Sequence, residues 1–270
     1  MIERALNRAA AMLLIGFAAA CSPQESQTRP AGRAALPTHT GEIRGTVKFR
    51  GAAPAVRSEV NTKNPEVCGN NVAVTRLQLG ANGGVRHVFV YLTGIESSEP
   101  PHPVASVTIE QKGCAYTPHS MVVKAGAPID IVNDDPVLHN VHASAMTENG
   151  LQTMFNIAQP VRGQRTKVEA ALKPGIMTLT CEAGHPWMTA HMLVSNHNYA
   201  AVTDEGGTFV ISNVPAGTYP ITMWHEGVAL TRIIPSLQQF QYEDPYESTK
   251  QVVVTPGSTS EVSFELELRQ

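Results

Sequence analysis

The sequence predicts an all-β protein built from two β-sandwiches that follow one another along the chain. Apolar and polar residues alternate with a period of two over most of the sequence, and no long stretch has helical periodicity. Glycine (21 residues) and proline (19 residues) are frequent and separate the alternating runs. Many short strands divided by turns are typical of β-sandwiches.

The larger sandwich is predicted over residues 41–198, where alternating runs end at turn signals such as Ala81-Asn82-Gly83-Gly84 and Pro174-Gly175. The segment Leu151–Arg165 is less regular and is predicted to be a short helix or a long loop. The candidate strands are Ile43–Phe49, Val85–Leu92, Val104–Glu110, Ser120–Val123, Ile129–Asn133, Leu138–Ser144, Lys167–Leu172, Ile176–Cys181 and His191–Ser195.

A smaller sandwich is predicted over residues 199–270. Its last run alternates cleanly, which places Val262, Phe264 and Leu266 on one face. The spacing between the two regions is short, so we expect the two sandwiches to pack together. The candidate strands are Ala201–Thr203, Thr208–Ser212, Thr218–Trp224, Leu230–Ile234, Gln251–Thr255 and Glu261–Leu268.

The N-terminus has the features of an export signal. Arg4 and Arg8 precede an apolar run that ends at Ala20, and this run is shorter than the roughly 20 residues that span a bilayer. We predict a signal peptide over residues 1–20. Cys21 then resembles the lipidated cysteine of bacterial lipoproteins, with cleavage by an ordinary signal peptidase as the alternative. The polar residues 21–40 are predicted to be a flexible tether. Lipid-anchored through Cys21, the protein would face the periplasm from the outer membrane and have no other membrane contact.

The cysteine count singles out Cys181. With Cys21 assigned to lipid, three cysteines remain, and in an oxidising compartment three cannot all pair within one chain. Cys68 and Cys114 lie in turn-like contexts and are predicted to form a disulfide. Cys181 is then left free, bound to metal or paired with another chain.

Cys181 also lies among metal-binding side chains. His185 and Met188 follow it within eight residues, and His139 begins an earlier predicted strand. One thiolate, two imidazoles and a weak axial thioether are the donors of a mononuclear type 1 (blue) copper site. We therefore predict that His139, Cys181, His185 and Met188 bind one copper ion.

Two rival donors are less favoured. His142 is three residues from His139, so on a strand the two rings point to opposite faces. Asn140 supports His139, because its amide can join the two ligand loops by hydrogen bonds. Met192 is farther from His185 than Met188 is. His87, His102, His119, His191, His197 and His225 are expected to have structural roles.

These residues resemble the cupredoxin family. The similarity extends from Val122 to Val194 and rests on Asn133-Asp-Asp-Pro-Val-Leu-His-Asn140, Pro174-Gly-Ile-Met-Thr-Leu-Thr-Cys181 and His185-Pro-Trp-Met188. The closing loop is similar to that of amicyanin and plastocyanin, with three residues instead of two between Cys181 and His185. The resemblance implies a cupredoxin-like Greek-key β-sandwich in which His139, Cys181, His185 and Met188 are the copper ligands.

Residues from about 199 onward resemble the carboxypeptidase regulatory-like (transthyretin-like) domain, through Ala201-Val-Thr-Asp-Glu-Gly-Gly-Thr-Phe-Val-Ile211 and Val214-Pro-Ala-Gly-Thr-Tyr219. Those motifs imply a fold and no particular chemistry.

Together, the motifs favour a periplasmic one-electron carrier. In the cupredoxin pattern the downstream histidine is exposed, so a redox protein would dock near His185 and Trp187. A copper-delivery protein and a metal-free envelope-binding module are the alternatives. An enzyme is not expected, since no carboxylate pair, Ser–His–Asp order, phosphate-binding loop or motif for a three-histidine second copper centre is found. The net charge of −3, without long basic runs, argues against nucleic acid as a partner.

Overall fold

The computed structural model describes residues 39–95, 105–169, 173–234 and 239–269. The predicted signal peptide, Cys21 and nearly all of the predicted tether lie outside these residues. Within the described ranges, no helix is long and apolar enough to cross a membrane.

The described chain confirms the all-β prediction, since its helices are a single α-helical turn, α1 (Pro65–Cys68), and a 3₁₀ turn at Ala81–Gly83. The strands are β1 (Thr40–Arg50), β2 (Arg57–Val60), β3 (Asn71–Val74), β4 (Phe89–Leu92), β5 (Val107–Gln111), β6 (Tyr116–Thr117), β7 (Ser120–Lys124), β8 (Ile129–Asn133), β9 (His139–Thr147), β10 (Gly150–Gln159), β11 (Gln164–Val168), β12 (Gly175–Thr180), β13 (Thr189–Ser195), β14 (Ala200–Val202), β15 (Thr208–Pro215), β16 (Gly217–His225), β17 (Leu230–Ile234), β18 (Gln239–Tyr242), β19 (Tyr246–Val254) and β20 (Thr259–Glu267).

The first sandwich consists of a five-stranded sheet, ordered β10-β9-β12-β13-β7, and a four-stranded sheet, ordered β11-β8-β5-β6. Ile109 and Ile131 from the smaller sheet share a buried core with Val141, Leu179 and Met192 from the larger one. These positions are the apolar half of the alternating pattern, so burial of one face per strand holds the two sheets together.

The second sandwich pairs a three-stranded sheet, ordered β15-β1-β20, with a four-stranded sheet, ordered β14-β4-β16-β19. Its core includes Ile43, Val90, Ile211, Ile221 and Phe264. Two short hairpins, β2–β3 and β17–β18, complete the described strands.

Strands β1 and β4 belong to the second sandwich, although the sequence placed residues 41–198 in the first. β1 lies antiparallel to β15 and parallel to β20, while β4 pairs with β14 and β16. An alternating strand can complete the core of either sandwich, so its pattern does not reveal which distant strand it will pair with. The second sandwich is therefore assembled from both ends of the described chain.

The segment Leu151–Arg165 is mostly strand, so the expectation of a helix or loop is wrong. β10 pairs antiparallel with β9, and a register shift between Thr153 and Phe155 marks a β-bulge. A bulge adds one residue and reverses the alternation beyond it, which hides the period of two in the sequence.

A small apolar cluster joins the two sandwiches. Phe89 of β4 and Trp224 of β16 stack with ring centroids 5.5 Å apart, and both pack with Leu193 of β13. The expected packing of one sandwich on the other thus has a physical basis in buried aromatic area.

Gly45 of β1 lies where strands of the three-stranded sheet approach each other closely. A Cβ atom at this position would lie 1.6 Å from the Val262 carbonyl oxygen and 2.6 Å from the Phe209 ring. Gly45→Ala should therefore lower the free energy of unfolding by about 1–3 kcal/mol, the usual cost of overpacking. Chemical denaturation measures the change, with Lys48→Ala, on an exposed position of the same strand, as the control. Equal stability of the two variants would contradict the packing described for β1.

Candidate metal centre

The pairing of β9 with β12 brings two of the predicted ligands together. β9 begins at His139, and Cys181 directly follows the last residue of β12. The two strands are antiparallel, with Thr180 opposite His142. The start of β9 and the end of β12 therefore meet at one edge of the sheet, where His139 and Cys181 lie side by side.

The loop between β12 and β13 returns the third ligand to the same place. The Cys181 amide donates to the Met188 carbonyl at 3.3 Å, and the Met188 amide donates to the His185 carbonyl at 3.0 Å. Gly184 has φ +93°, a conformation open to glycine and strained for other residues. This tight loop folds His185 back against Cys181.

The three side chains form a buried donor triangle, which we call the thiolate cluster (His139, Cys181 and His185). The two Nδ1 atoms are 3.2 Å apart, and the Cys181 sulfur lies 3.6 Å from His185 Nδ1 and 4.0 Å from His139 Nδ1. A metal ion at about 2.0–2.3 Å from each donor would set them roughly 3.5 Å apart. The triangle therefore has the size that a first-row transition metal requires.

Asp135 fixes the orientation of His139. The Nε2–H of His139 donates to Asp135 Oδ2 at 2.9 Å, and the same carboxylate accepts the amides of Gly113 and Cys114 at 2.8 Å. Although burial opposes ionisation, these hydrogen bonds lower the pKa of Asp135. With its proton held on Nε2, His139 presents the Nδ1 lone pair to the cluster.

The sulfur of Cys181 is surrounded by hydrogen-bond donors. The backbone amides of Asn140, Ala183 and His185 favour the ionised sulfur, while the nearby Tyr116 hydroxyl donates to the Asn140 carbonyl. Burial raises the pKa of Cys181 more than these donors lower it, so the thiol stays protonated without a metal. A metal ion that displaces the proton would leave a thiolate already supplied with donors.

The imidazoles are neutral at physiological pH. Burial lowers the pKa of His139 in spite of the Asp135 carboxylate. Burial, helped by His139, lowers the pKa of His185 to about 4. Neutral rings keep a lone pair free for a metal.

Asn140 connects the two ligand segments. Its side-chain oxygen accepts the Glu182 amide at 2.6 Å, and its nitrogen donates to Asn156 at 2.9 Å. The first bond joins the strand that carries His139 to the loop that follows Cys181, which is the kind of contact predicted for this residue.

The remaining candidate donors are His142, Met188 and Met192. His142 is outside the cluster, because its two ring nitrogens contact Glu182 at 2.7 Å and Thr153 at 2.8 Å. Met188 is buried in the same core as Cys181, directly before β13, whereas Met192 lies within that strand.

The predicted disulfide between Cys68 and Cys114 is confirmed, and it lies beside the cluster. The two sulfur atoms are within 4.8 Å of a His185 ring nitrogen. Trp187 donates its indole N–H to the Cys114 carbonyl at 3.1 Å. His185 is consequently 0% exposed, and its Nε2 has no hydrogen-bond partner. The expectation that this histidine is exposed is wrong, because the disulfide from a distant segment lies against its ring.

Sequence reasoning missed Asp135 and Tyr116. Asp135 is four residues before His139. A carboxylate this close in sequence to a candidate histidine ligand could have been predicted to accept a hydrogen bond from its ring. Tyr116 comes two residues after a disulfide cysteine, and only the fold brings its hydroxyl to the carbonyl of Asn140, the residue after His139.

Comparisons with known proteins give partial matches. A family model described as polysaccharide lyase family 4, domain II, matches residues 171–262, less than half of the chain. No curated protein matches the sequence.

Among solved structures, a purple cupredoxin from Nitrosopumilus maritimus is 23% identical over 33% of this chain and 99% of its own, with a TM-score of 0.28. The copper-containing nitrite reductase from Thermus scotoductus SA-01 is 20% identical over 38% of this chain and 24% of its own, also at 0.28. Auracyanin from Roseiflexus castenholzii is 14% identical over 36% of this chain and 99% of its own, again at 0.28. Similarity at this level assigns no function to the chain.

The role of Asp135 can be tested on metal affinity. Asp135→Asn replaces the carboxylate that orients His139, so the affinity for Cu(II) should fall roughly 10- to 100-fold. Competition with a chelator measures it, and Asp134→Asn, the adjacent residue, is the matched control. Equal affinities in the two folded variants would show that Asp135 does not position the ligand.

Proposed function

We propose that this protein is a type 1 copper protein that carries single electrons. The observation that supports the proposal is the thiolate cluster: one sulfur and two Nδ1 atoms form a triangle of metal-binding size within a buried core. The hydrogen bonds of Asp135 and Asn140 would hold these ligands in place.

The donor set favours copper over other metals. Structural zinc is usually held by four strong ligands in a tetrahedron. A trigonal set of two imidazoles and one thiolate, with a thioether as a weak fourth ligand, is the arrangement of blue-copper sites. We assign Met188 as that fourth ligand, because its backbone is hydrogen-bonded to both Cys181 and His185. When bound, copper would alternate between Cu(I) and Cu(II).

The chain's own residues would keep the ligands still during such a cycle. Asp135 locks the His139 ring, Asn140 ties the ligand loops together, and the disulfide packs against His185. The cluster is buried, so little water can rearrange around it. Fixed donors and a dry site both reduce the reorganisation that accompanies electron transfer.

We further propose that a redox partner docks on a shallow groove beside Trp187. The groove has a volume of about 390 Å³ and includes Val60, Pro186, Trp187 and Ile233 in its lining. Val60 and Ile233 are apolar yet 78% and 49% exposed. The Trp187 ring meets His185 edge-on at 5.5 Å between centroids. Electrons would thus leave through the covering tryptophan, and the partner would present a small apolar surface.

We propose the cellular location from the sequence. A lipid anchor at Cys21 and export to the periplasmic face of the outer membrane suit a protein with a disulfide, since disulfides persist in oxidising compartments.

The copper assignment is tested by adding Cu(II) to the purified protein. An intense visible band from thiolate-to-copper charge transfer is expected, and it should disappear in Cys181→Ser. His142→Asn, which removes a nearby imidazole outside the cluster, should keep the band. Correctly folded wild-type protein without the band would sink the proposal, and so would a Cys181→Ser variant that retains it.

A further inference from the structure

A second group of polar side chains lies at the junction of the two sandwiches. His119 precedes β7, His191 lies on β13, and Glu226 directly follows β16. His191 and Glu226 are buried, while the His119 side chain is 18% exposed. We call these three residues the junction cluster. Both sandwiches contribute to it, and none of its members belongs to the thiolate cluster.

The two imidazoles converge on one carboxylate. His119 Nε2 is 2.5 Å from Glu226 Oε1, and His191 Nε2 is 3.0 Å from Glu226 Oε2. Each residue offers one ligand atom, and the three atoms lie within 4.8 Å of one another. The second nitrogen of His191 is 3.5 Å from the Thr178 hydroxyl, which orients that ring.

Glu226 carries its negative charge inside the protein. Burial opposes ionisation, but Arg76 and the two imidazoles hold the pKa of Glu226 well below its usual range. Arg76 forms an ion pair with Oε2 and stacks on Tyr242, with 3.7 Å between the guanidinium carbon and the ring centroid. The other oxygen, Oε1, contacts His119, whereas Arg76 pairs with Oε2. The carboxylate can therefore keep Arg76 on one oxygen and offer the other to a ligand.

The surroundings provide both access and further nitrogen donors. Arg76, His191 and Glu226 line a cleft of about 370 Å³. His87 lies with its ring centroid 4.9 Å from that of His119. His225 is buried, and its Nε2 has no hydrogen-bond partner.

We propose that His119, His191 and Glu226 bind one divalent transition-metal ion of the zinc class. Two imidazoles and one carboxylate are a known ligand set for zinc, and such three-ligand sites leave a position for water or another small ligand. The cleft supplies the room for that ligand. Arg76 would act as the outer partner that holds the carboxylate in place. The junction cluster contains no sulfur, so its preference among metal ions should differ from that of the thiolate cluster.

The proposal is tested with Zn²⁺ alone on chelator-treated Cys181→Ser protein, in which the thiolate is absent. Calorimetric titration of this protein is compared with Cys181→Ser/His119→Asn and with Cys181→Ser/His197→Asn. His197 is a buried histidine that contacts Ser195, away from the cluster, and serves as the matched control. Any Zn²⁺ bound by the remaining His139 and His185 is common to all three proteins.

Cys181→Ser and Cys181→Ser/His197→Asn should each bind one equivalent of Zn²⁺ at the junction cluster. In Cys181→Ser/His119→Asn the affinity for this equivalent should fall by more than roughly 100-fold. The loss of a direct ligand should exceed the roughly 10- to 100-fold loss that is typical when a partner of a ligand is removed. Equal binding in all three proteins, or no binding to the junction cluster, would overturn the proposal and leave Glu226 as a structural partner of Arg76. Since Cys181 is replaced throughout, this outcome is independent of whether the wild-type protein binds copper as proposed above.

A second measurement applies if the His119→Asn protein does not fold. Crystals of the wild-type protein soaked in Zn²⁺ should show an anomalous scattering peak between His119, His191 and Glu226. A structure with Arg76 and both imidazoles in the described positions and no peak among them would refute the site.

Discussion

The antiparallel pairing of β12 with both β9 and β13 is the constraint on which the candidate metal centre depends. This register sets the end of β12 beside the start of β9, so Cys181 and His139 become neighbours although 42 residues separate them. The same pairing closes the loop from Cys181 to Met188, and that loop returns His185 to the sulfur. One arrangement of hydrogen-bonded strands therefore collects donors from two distant parts of the sequence.

The contacts around the thiolate cluster turn proximity into preorganisation. Asp135 is itself held by the amides of Gly113 and Cys114, and Cys114 is half of the disulfide that covers His185. The disulfide is thus connected to both imidazoles: through Asp135 to His139, and by direct packing to His185. Its loop of 46 residues also restricts the unfolded chain, which stabilises the fold by about 2–4 kcal/mol in typical cases. Stability and ligand geometry rest here on the same covalent bond.

Local patterns were enough to predict the strands that carry the candidate copper ligands, but not every strand and not the long-range partners of the strands. Alternation predicted β8, β9, β12 and β13 within a few residues, and cysteine parity together with turn-like contexts predicted the pair Cys68–Cys114. The bulge between Thr153 and Phe155 concealed β10, since it reverses the alternation on which the prediction relied. The assignment of β1 to the second sandwich depends on which distant strands it meets, and alternation carries no such information.

The thiolate cluster could be predicted from local sequence, whereas the junction cluster could not. Three of the proposed copper ligands follow one another within eight residues, so their chemistry could be read directly. His119, His191 and Glu226 come from separate segments of two sandwiches and have no common motif. Burial of His185 escaped prediction for a similar reason, because the covering disulfide belongs to a distant segment.

Voltammetry of the copper-loaded protein tests the central claim most directly. If the thiolate cluster holds copper for electron transfer, repeated cycles should show one reversible one-electron couple with copper retained, and Cys181→Ser should lose that couple. Release of copper on reduction, or the absence of a reversible couple in folded, copper-loaded protein, would contradict a carrier function.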